Sequence, residues 1–304
     1  MTEAIYLKVS EKAETAKSDK RRVSVSGMLK YLGVSRSGYL AWLNRVPSDV
    51  QKRKETVMTK IRYIYDESKQ NYGAPKITKE LQKDGEIISE RTVGKYMKEM
   101  GLKAQWIKPW TVTTKDSDFS NELQNILDED FNPDRPNAVW CSDITYIWTV
   151  EGFVYLTSIM DLYSRKIIAW TLSQTLEVSC VIDTINKAKA RRKTDLPLII
   201  HSDRGSQYVS KEYRKATAKM QCSYSKKAYP WDNACIESFH SLIKREWLNR
   251  FKIRDYNQAY HLVFEYLEAF YNTKRIHSHC NYMSPNDFEN LYEKAQKESL
   301  LLAG

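Results

Sequence analysis

The spacing of apolar residues changes near residue 135 of this 304-residue chain, and the change limits the folds open to it. Upstream, apolar side chains recur every three or four positions between glycine and serine punctuation, which predicts short helices. Downstream they fill three runs, 138–148, 153–160 and 166–172, parted by a Glu151-Gly152 turn and a polar 161–165 segment. Such runs predict an antiparallel meander. A helix over 178–192, a strand over 197–201, a helix near 210–220, a short strand over 221–224 and a helix opening near Trp231 follow. The order β-β-β-α-β-α-β-α means an α/β fold, a mixed sheet with helices on its faces, preceded by an all-α region.

The upstream third punctuates like two helix-turn-helix units. In Val25 to Asn44, Gly33 can end one helix and Ser35 can cap the next, which would turn Arg36, Ser37 and Arg45 outward. In 51–102, helices marked by Ile61, Ile64 and Tyr65, then Ile77 and Leu81, then Val93, Met97 and Met100 end at Gly85 and Gly101, with Ser89 as a cap. The third of them carries Arg91, Lys95 and Lys98. Residues 1–110 hold 23 Lys and Arg against 13 Asp and Glu, whereas the remainder is balanced at 25 against 25. All the excess of +10 thus sits on the helical third. A basic helical part joined to a neutral α/β part suggests nucleic-acid binding attached to different work, although a plain bundle with solvated lysines has the same periodicity. The expected division is a polar segment at 1–22, helix-turn-helix units at 23–48 and 51–104, a linker at 105–135, an α/β core at 136–254 and a helical region at 255–304. The linker, with Trp106, Pro109 and Trp110, is expected to hold one short helix over Asn121 to Leu127.

Other classes fit poorly. No apolar run approaches the ~18 residues of a membrane-spanning helix, and 1–22 lacks the apolar core of a signal peptide, so the expected compartment is the cytoplasm, at the nucleoid when DNA is bound. Five scattered cysteines without a CxxC pair suit free thiols. His277, His279 and Cys280 cluster, but the second ligand pair of a zinc site is missing.

Three acids are unusually placed. Asp143 interrupts the apolar and aromatic strand Cys141 to Ile147, where an unpaired charge would be expensive. Asp203 follows directly on the strand Leu198 to Ile200 at a glycine-containing loop, where α/β sites form. Glu237 lies one turn into the helix opening at Trp231, beside an apolar stripe of Ile236, Phe239, Leu242 and Ile243. On the polar edge of that helix Lys244 follows at i+7 and is placed for a phosphate. Asp232 or Asn233 can cap the helix. His201 and His240 read as a strand histidine and a surface helix histidine.

Three carboxylates gathered within roughly 5 Å would repel by about 3 kcal/mol per pair at an effective dielectric near 20, so the site needs cations. Oxygen-only ligands favour Mg²⁺, or Mn²⁺, over zinc. Two such ions can activate an attacking oxygen and stabilise the leaving one in phosphoryl transfer.

The segments Ser142-Asp143-Ile144-Thr145-Tyr146, Asp161-Leu162-Tyr163-Ser164-Arg165, His201 to Tyr208, Trp231 to Phe239, and Tyr271-Asn272 with Arg275, His277 and Ser284-Pro285 resemble the OrfB transposases of bacterial insertion sequences. These belong to the retroviral-integrase-like DDE superfamily with its integrase catalytic core. Tyr72-Gly73 with Ile77, Leu81, Gly85 and Val93 is similar to that family's helix-turn-helix domain, so the likeness spans about residues 25–290. It implies an RNase H-like core whose catalytic, metal-holding triad falls on Asp143, Asp203 and Glu237, with Lys244 as a DNA contact and Asp161 at a strand junction. Between Asp203 and Glu237 lie 33 residues, two fewer than is usual in that family, a difference assigned to the loop or short strand before the glutamate helix.

The expected function is a DNA transposase that frees a 3′-hydroxyl by hydrolysis and then joins it to a second phosphodiester. Its expected partners are the element's terminal inverted repeats, target DNA and further copies of the chain. The resemblance also implies a fusion with, or partnership to, an upstream OrfA product. Two alternatives share many of these residues: an RNase H-like nuclease that cuts without joining, and a transposase-derived, non-catalytic DNA-binding regulator.

Overall fold

The computed structural model describes residues 2–46, 48–105, 123–193, 198–226 and 229–302. Trp106, Pro109, Trp110, Asn121 and Pro197 lie outside them. The chain forms two compact units, Met1–Lys60 and Ile61–Gly304.

In the first unit, α1 (Thr2–Ser18), α2 (Val25–Tyr31) and α3 (Arg36–Leu43) are helical. Ser24 and Ser35 cap α2 and α3 by accepting the N–H groups of Gly27 and Gly38, and Gly33 leaves α2 at φ +66°. The start of the chain is thus a helix rather than only a polar segment. Its few apolar residues do the packing: Tyr6 and Val9 pack on Leu29 and Tyr39, and Tyr6 meets Tyr39 edge-on at 5.7 Å. Arg36 and Arg45 are exposed, and Arg45 Nη1 lies 3.2 Å from Glu3 Oε1.

The helix α4 spans Asp49–Glu67. In the second unit α5 (Ala74–Lys83) and α6 (Glu90–Glu99) bury Ile77, Leu81, Val93 and Met97, in the company of Ile61 and Tyr65. Ser89 caps α6 through Thr92 N–H, and Gly85 and Gly101 adopt positive φ where α5 and α6 end. Arg91, Lys95 and Lys98 point to solvent.

The strands come next: β1 (Val139–Thr149), β2 (Gly152–Asp161) and β3 (Lys166–Ser173), then α7 (Val178–Arg192), β4 (Ile199–Ser202), α8 (Lys211–Ala216), β5 (Gln221–Tyr224) and α9 (Ala234–Glu246). The sheet order is β3-β2-β1-β4-β5, with the first three strands antiparallel and β4 and β5 parallel to β1. This is the mixed sheet that the strand and helix order predicts. Trp140 and Ile159 of the sheet pack with Val181, Ile185 and Ala188 of α7, while α9 lies against the residues of β1 that alternate with them. The tail holds α10 (Tyr256–Phe264), which widens into a π-helical stretch over Glu265–Tyr271, and α11 (Pro285–Leu302).

Two local expectations fail. The described part of the expected linker helix, Leu123 to Leu127, is not helical. The N–H groups of Ile126 and Leu127 both donate to Ser223 Oγ, and Gln124 C=O accepts from Tyr224 N–H, so the segment borders β5 in place of coiling on itself. Asp232 does not cap α9. Its Oδ2 accepts the N–H of Lys226 at 2.6 Å, and Asn233 at the N-cap makes no side-chain capping bond.

Candidate active site

Sheet register fixes the neighbours of the first two acids. Asp143 of β1 lies directly opposite Ser158 of β2, and Ser142 pairs with Ser202 of β4. Asp203 is the next residue, where β4 runs out into its loop. Neighbouring strands lie about 4.8 Å apart, so the two aspartates leave the sheet side by side. Both line a cleft of about 180 Å³ together with Thr145, Tyr146, Tyr155 and Gln207. Burial, and then the charge of Asp143, push the Asp203 carboxyl up to about 6. Its Oδ1 accepts the N–H of Gly205 at 2.9 Å. A Cβ on Gly205 would stand 3.0 Å from that oxygen and 3.3 Å from Gln207 Oε1, so an alanine there would make the Asp203 and Gln207 side chains give by a few tenths of an ångström.

Glu237 sits in the first turn of α9 and stays accessible to solvent. Its carboxyl is nevertheless held above the usual range, first by partial burial and then by Asp143 and Asp203, which places it within electrostatic reach of both. Two turns on, Lys244 Nζ lies 4.5 Å from the centroid of the Tyr146 ring at the edge of the cleft. Burial lowers its pKa and Asp143 opposes that shift.

His240 is a correction to the sequence reading. It is 5% exposed, not a surface residue, and its Nδ1 lies 3.2 Å from Asp143 Oδ2. The signal lay in the spacing: position 240 falls four after Ile236 and three before Ile243, on the buried stripe of α9. His201 is the strand histidine expected, fully buried between Ser223 Oγ at 2.9 Å and Ser225 Oγ at 3.1 Å, and burial pulls it down to about 4.

The donor chemistry at the cleft suits a hard divalent cation. It consists of oxygens, and among the described residues neither Asp203 nor Glu237 makes an ion pair. Among those residues no three acidic, histidine or cysteine side chains close tightly enough to grip one ion. Asp143 and Asp203 both line the cleft and are the carboxylates that would meet such an ion there, with Glu237 within electrostatic reach of both.

Family comparisons agree with the layout. An HTH-like domain family matches residues 52–110, and two integrase core domain families match 133–228, which holds Asp143 and Asp203, and 218–285, which holds Glu237 and Lys244. The transposase for insertion sequence element IS904 of Lactococcus lactis subsp. lactis is 37% identical over 249 residues, covering 81% of this chain and 98% of that protein. Transposase InsF for insertion sequence IS3A of Escherichia coli K12 is 34% identical over 273 residues, covering 88% of this chain and 94% of that protein. A 31 kDa protein of insertion element IS600 from Shigella sonnei is 31% identical over 269 residues, covering 88% of this chain and 99% of that protein.

Proposed function

The chain belongs to the insertion-sequence transposases, with an integrase core behind a helix-turn-helix-like domain, and we propose that it cuts and joins DNA through Asp143, Asp203 and Glu237. The observation that carries the residue assignment is the register of β1 on β4, which puts two carboxylates side by side in one cleft. The integrase-core family depends on a divalent metal, and two Mg²⁺ ions held by Asp143 and Asp203 with Glu237 would supply Lewis-acid stabilisation of the attacking and leaving oxygens.

The chain's own residues do the rest. Asp143 and Asp203 hold negative charge side by side, which a bound cation would relieve, and the Gly205 N–H fixes which oxygen of Asp203 turns to the loop. Lys244, beside Tyr146, offers an N–H donor and a positive charge to a backbone phosphate entering the cleft. Arg36 and Arg45 in the first unit, and Arg91, Lys95 and Lys98 on α6, are exposed and suited to phosphate contacts. An element end and a target must meet at one reaction centre, so assembly of several copies on DNA is part of this reading. So is residence at the nucleoid. Among the described residues no helix is long and apolar enough to cross a membrane.

The test is a strand-transfer assay on labelled terminal inverted repeats with Mg²⁺ and then Mn²⁺, against EDTA controls. Joined product supports the proposal. Cleavage without joining supports the nuclease reading, and binding without either supports the regulator. In the same assay Gly205→Ala is expected to cleave about tenfold to a hundredfold more slowly, because a displacement under 1 Å at Asp203 spoils the alignment of reacting groups. Its melting temperature, followed by circular dichroism, should stay near wild type. Unchanged cleavage would show that the 203–207 loop yields around a methyl group.

A further inference from the structure

We infer that His240 is a positioning residue that fixes the Asp143 carboxylate and ties the helix of Glu237 to the strand of Asp143. The inference rests on the reading of Asp143 as part of the reaction centre. The register of β1 on β2 sets Asp143 and Ser158 side by side, and α9 lays His240 over that pair. Its Nδ1 is 3.2 Å from Asp143 Oδ2 and its Nε2 is 3.3 Å from Ser158 Oγ. The imidazole therefore spans a cross-strand pair from above.

Hydrogen-bond inventory assigns the direction. A neutral imidazole has one donor and one acceptor, and an ionised carboxylate only accepts. Nδ1–H therefore donates to Asp143, and in the neutral ring Nε2 accepts the hydroxyl proton of Ser158, which is fully buried. This chain holds the ring in one tautomer and one orientation, as the outer partner of a metal-binding group does. Packing supports it, since the Phe239 ring lies 5.4 Å from the imidazole.

Two consequences follow for the cleft. With Oδ2 turned to His240, Oδ1 of Asp143 is the freer oxygen for a cation shared with Asp203. His240 also sits three residues after Glu237, so the hydrogen bond sets how far the glutamate's turn of α9 stands from β1. A leucine of similar volume would keep the packing and lose both effects.

The experiment uses the full chain and three variants, His240→Leu, His240→Asn and Ser158→Ala. Mn²⁺ affinity is read from the electron paramagnetic resonance signal of the free ion, and DNA cleavage is resolved into kcat and KM. His240→Leu is expected to bind Mn²⁺ about 10- to 100-fold more weakly and to lose kcat with little change in KM for DNA. His240→Asn, which keeps an N–H donor near the place of Nδ1, should recover most of both. Ser158→Ala keeps the ring and its bond to Asp143 but removes the hydroxyl that holds Nε2, and is expected to weaken Mn²⁺ binding roughly threefold; it keeps the test open if the leucine variant fails to fold. A wild-type chain that binds Mn²⁺ and cuts DNA, beside folded leucine and alanine variants that match it in both, overturns the inference alone. A wild-type chain that does neither overturns the reading beneath it, and the inference with it.

Discussion

Asp203→Asn is expected to abolish DNA cleavage and joining, by on the order of 10³-fold or more, while leaving the protein as stable as before or slightly more so. The substitution keeps the shape of the side chain, and an amide oxygen can still accept the Gly205 N–H. What goes is a negative charge, and that charge is the reason for the residue's cost. Burial and the neighbouring Asp143 both resist ionisation of Asp203, which is why its carboxyl titrates near 6 and not in the usual carboxylate range. A neutral amide costs less to bury beside Asp143 than a second carboxylate does, so thermal melting monitored by circular dichroism should show no loss. On the proposed reading, cleavage needs the same charge that burial makes costly. A structural acid gives the opposite pattern, with a lowered melting temperature and a proportionate loss of rate. Either that pattern, or cleavage retained within tenfold of wild type, would remove Asp203 from the proposed centre.

The same distinction between local pattern and long-range geometry explains what could be read in the sequence. The helix Val178–Arg192 and the strand Gln221–Tyr224 are legible to the residue, because apolar spacing and flanking turn residues are local properties. The caps at Ser35 and Ser89 and the positive-φ glycines at 33, 85 and 101 are local too. Asp143 stands out because a charge inside an apolar strand is anomalous without any knowledge of its neighbours. By contrast, α1 buries only Tyr6, Val9 and Ala16 in 17 residues, too sparse a stripe to register as periodic. Leu123 to Leu127 takes its conformation from Ser223, about a hundred positions away, and Asp232 is drawn from its cap by the Lys226 N–H. His240 falls between these cases. Its place on the buried stripe is local information, but its partner Asp143 depends on how α9 crosses the sheet.

Arg275 shows how much of the architecture around the site rests on such distant partners, and its removal is expected to be the most damaging change to stability. Its guanidinium meets both carboxylate oxygens of Glu246, with Nε to Oε2 and Nη2 to Oε1 at 2.7 Å each, and Tyr266 adds a 2.8 Å bond to Oε2. The Arg275 and Glu246 side chains are only 6% and 13% exposed. Burial alone would raise the Glu246 carboxyl, but Arg275 outweighs it and the net direction is down. The pair closes the end of α9 whose beginning carries Glu237 and His240. Nearby, the Tyr72 hydroxyl accepts the N–H of Ile276 at 2.8 Å, which fastens the approach to α5 onto the same turn. Arg275→Ala strands a buried carboxylate, and breaking such a pair costs about 3 to 5 kcal/mol. In a unit of this size that lowers the melting temperature by roughly 10 °C, with cleavage falling as α9 loosens. The double variant Glu246→Leu with Arg275→Met fills the same space without charge, and should lose far less than either single variant, because most of the cost lies in the unpaired ion rather than in the lost attraction. Scanning calorimetry on the single and double variants decides the point: losses that simply add would mean that the two side chains are not coupled, and that α9 is held by its apolar stripe alone.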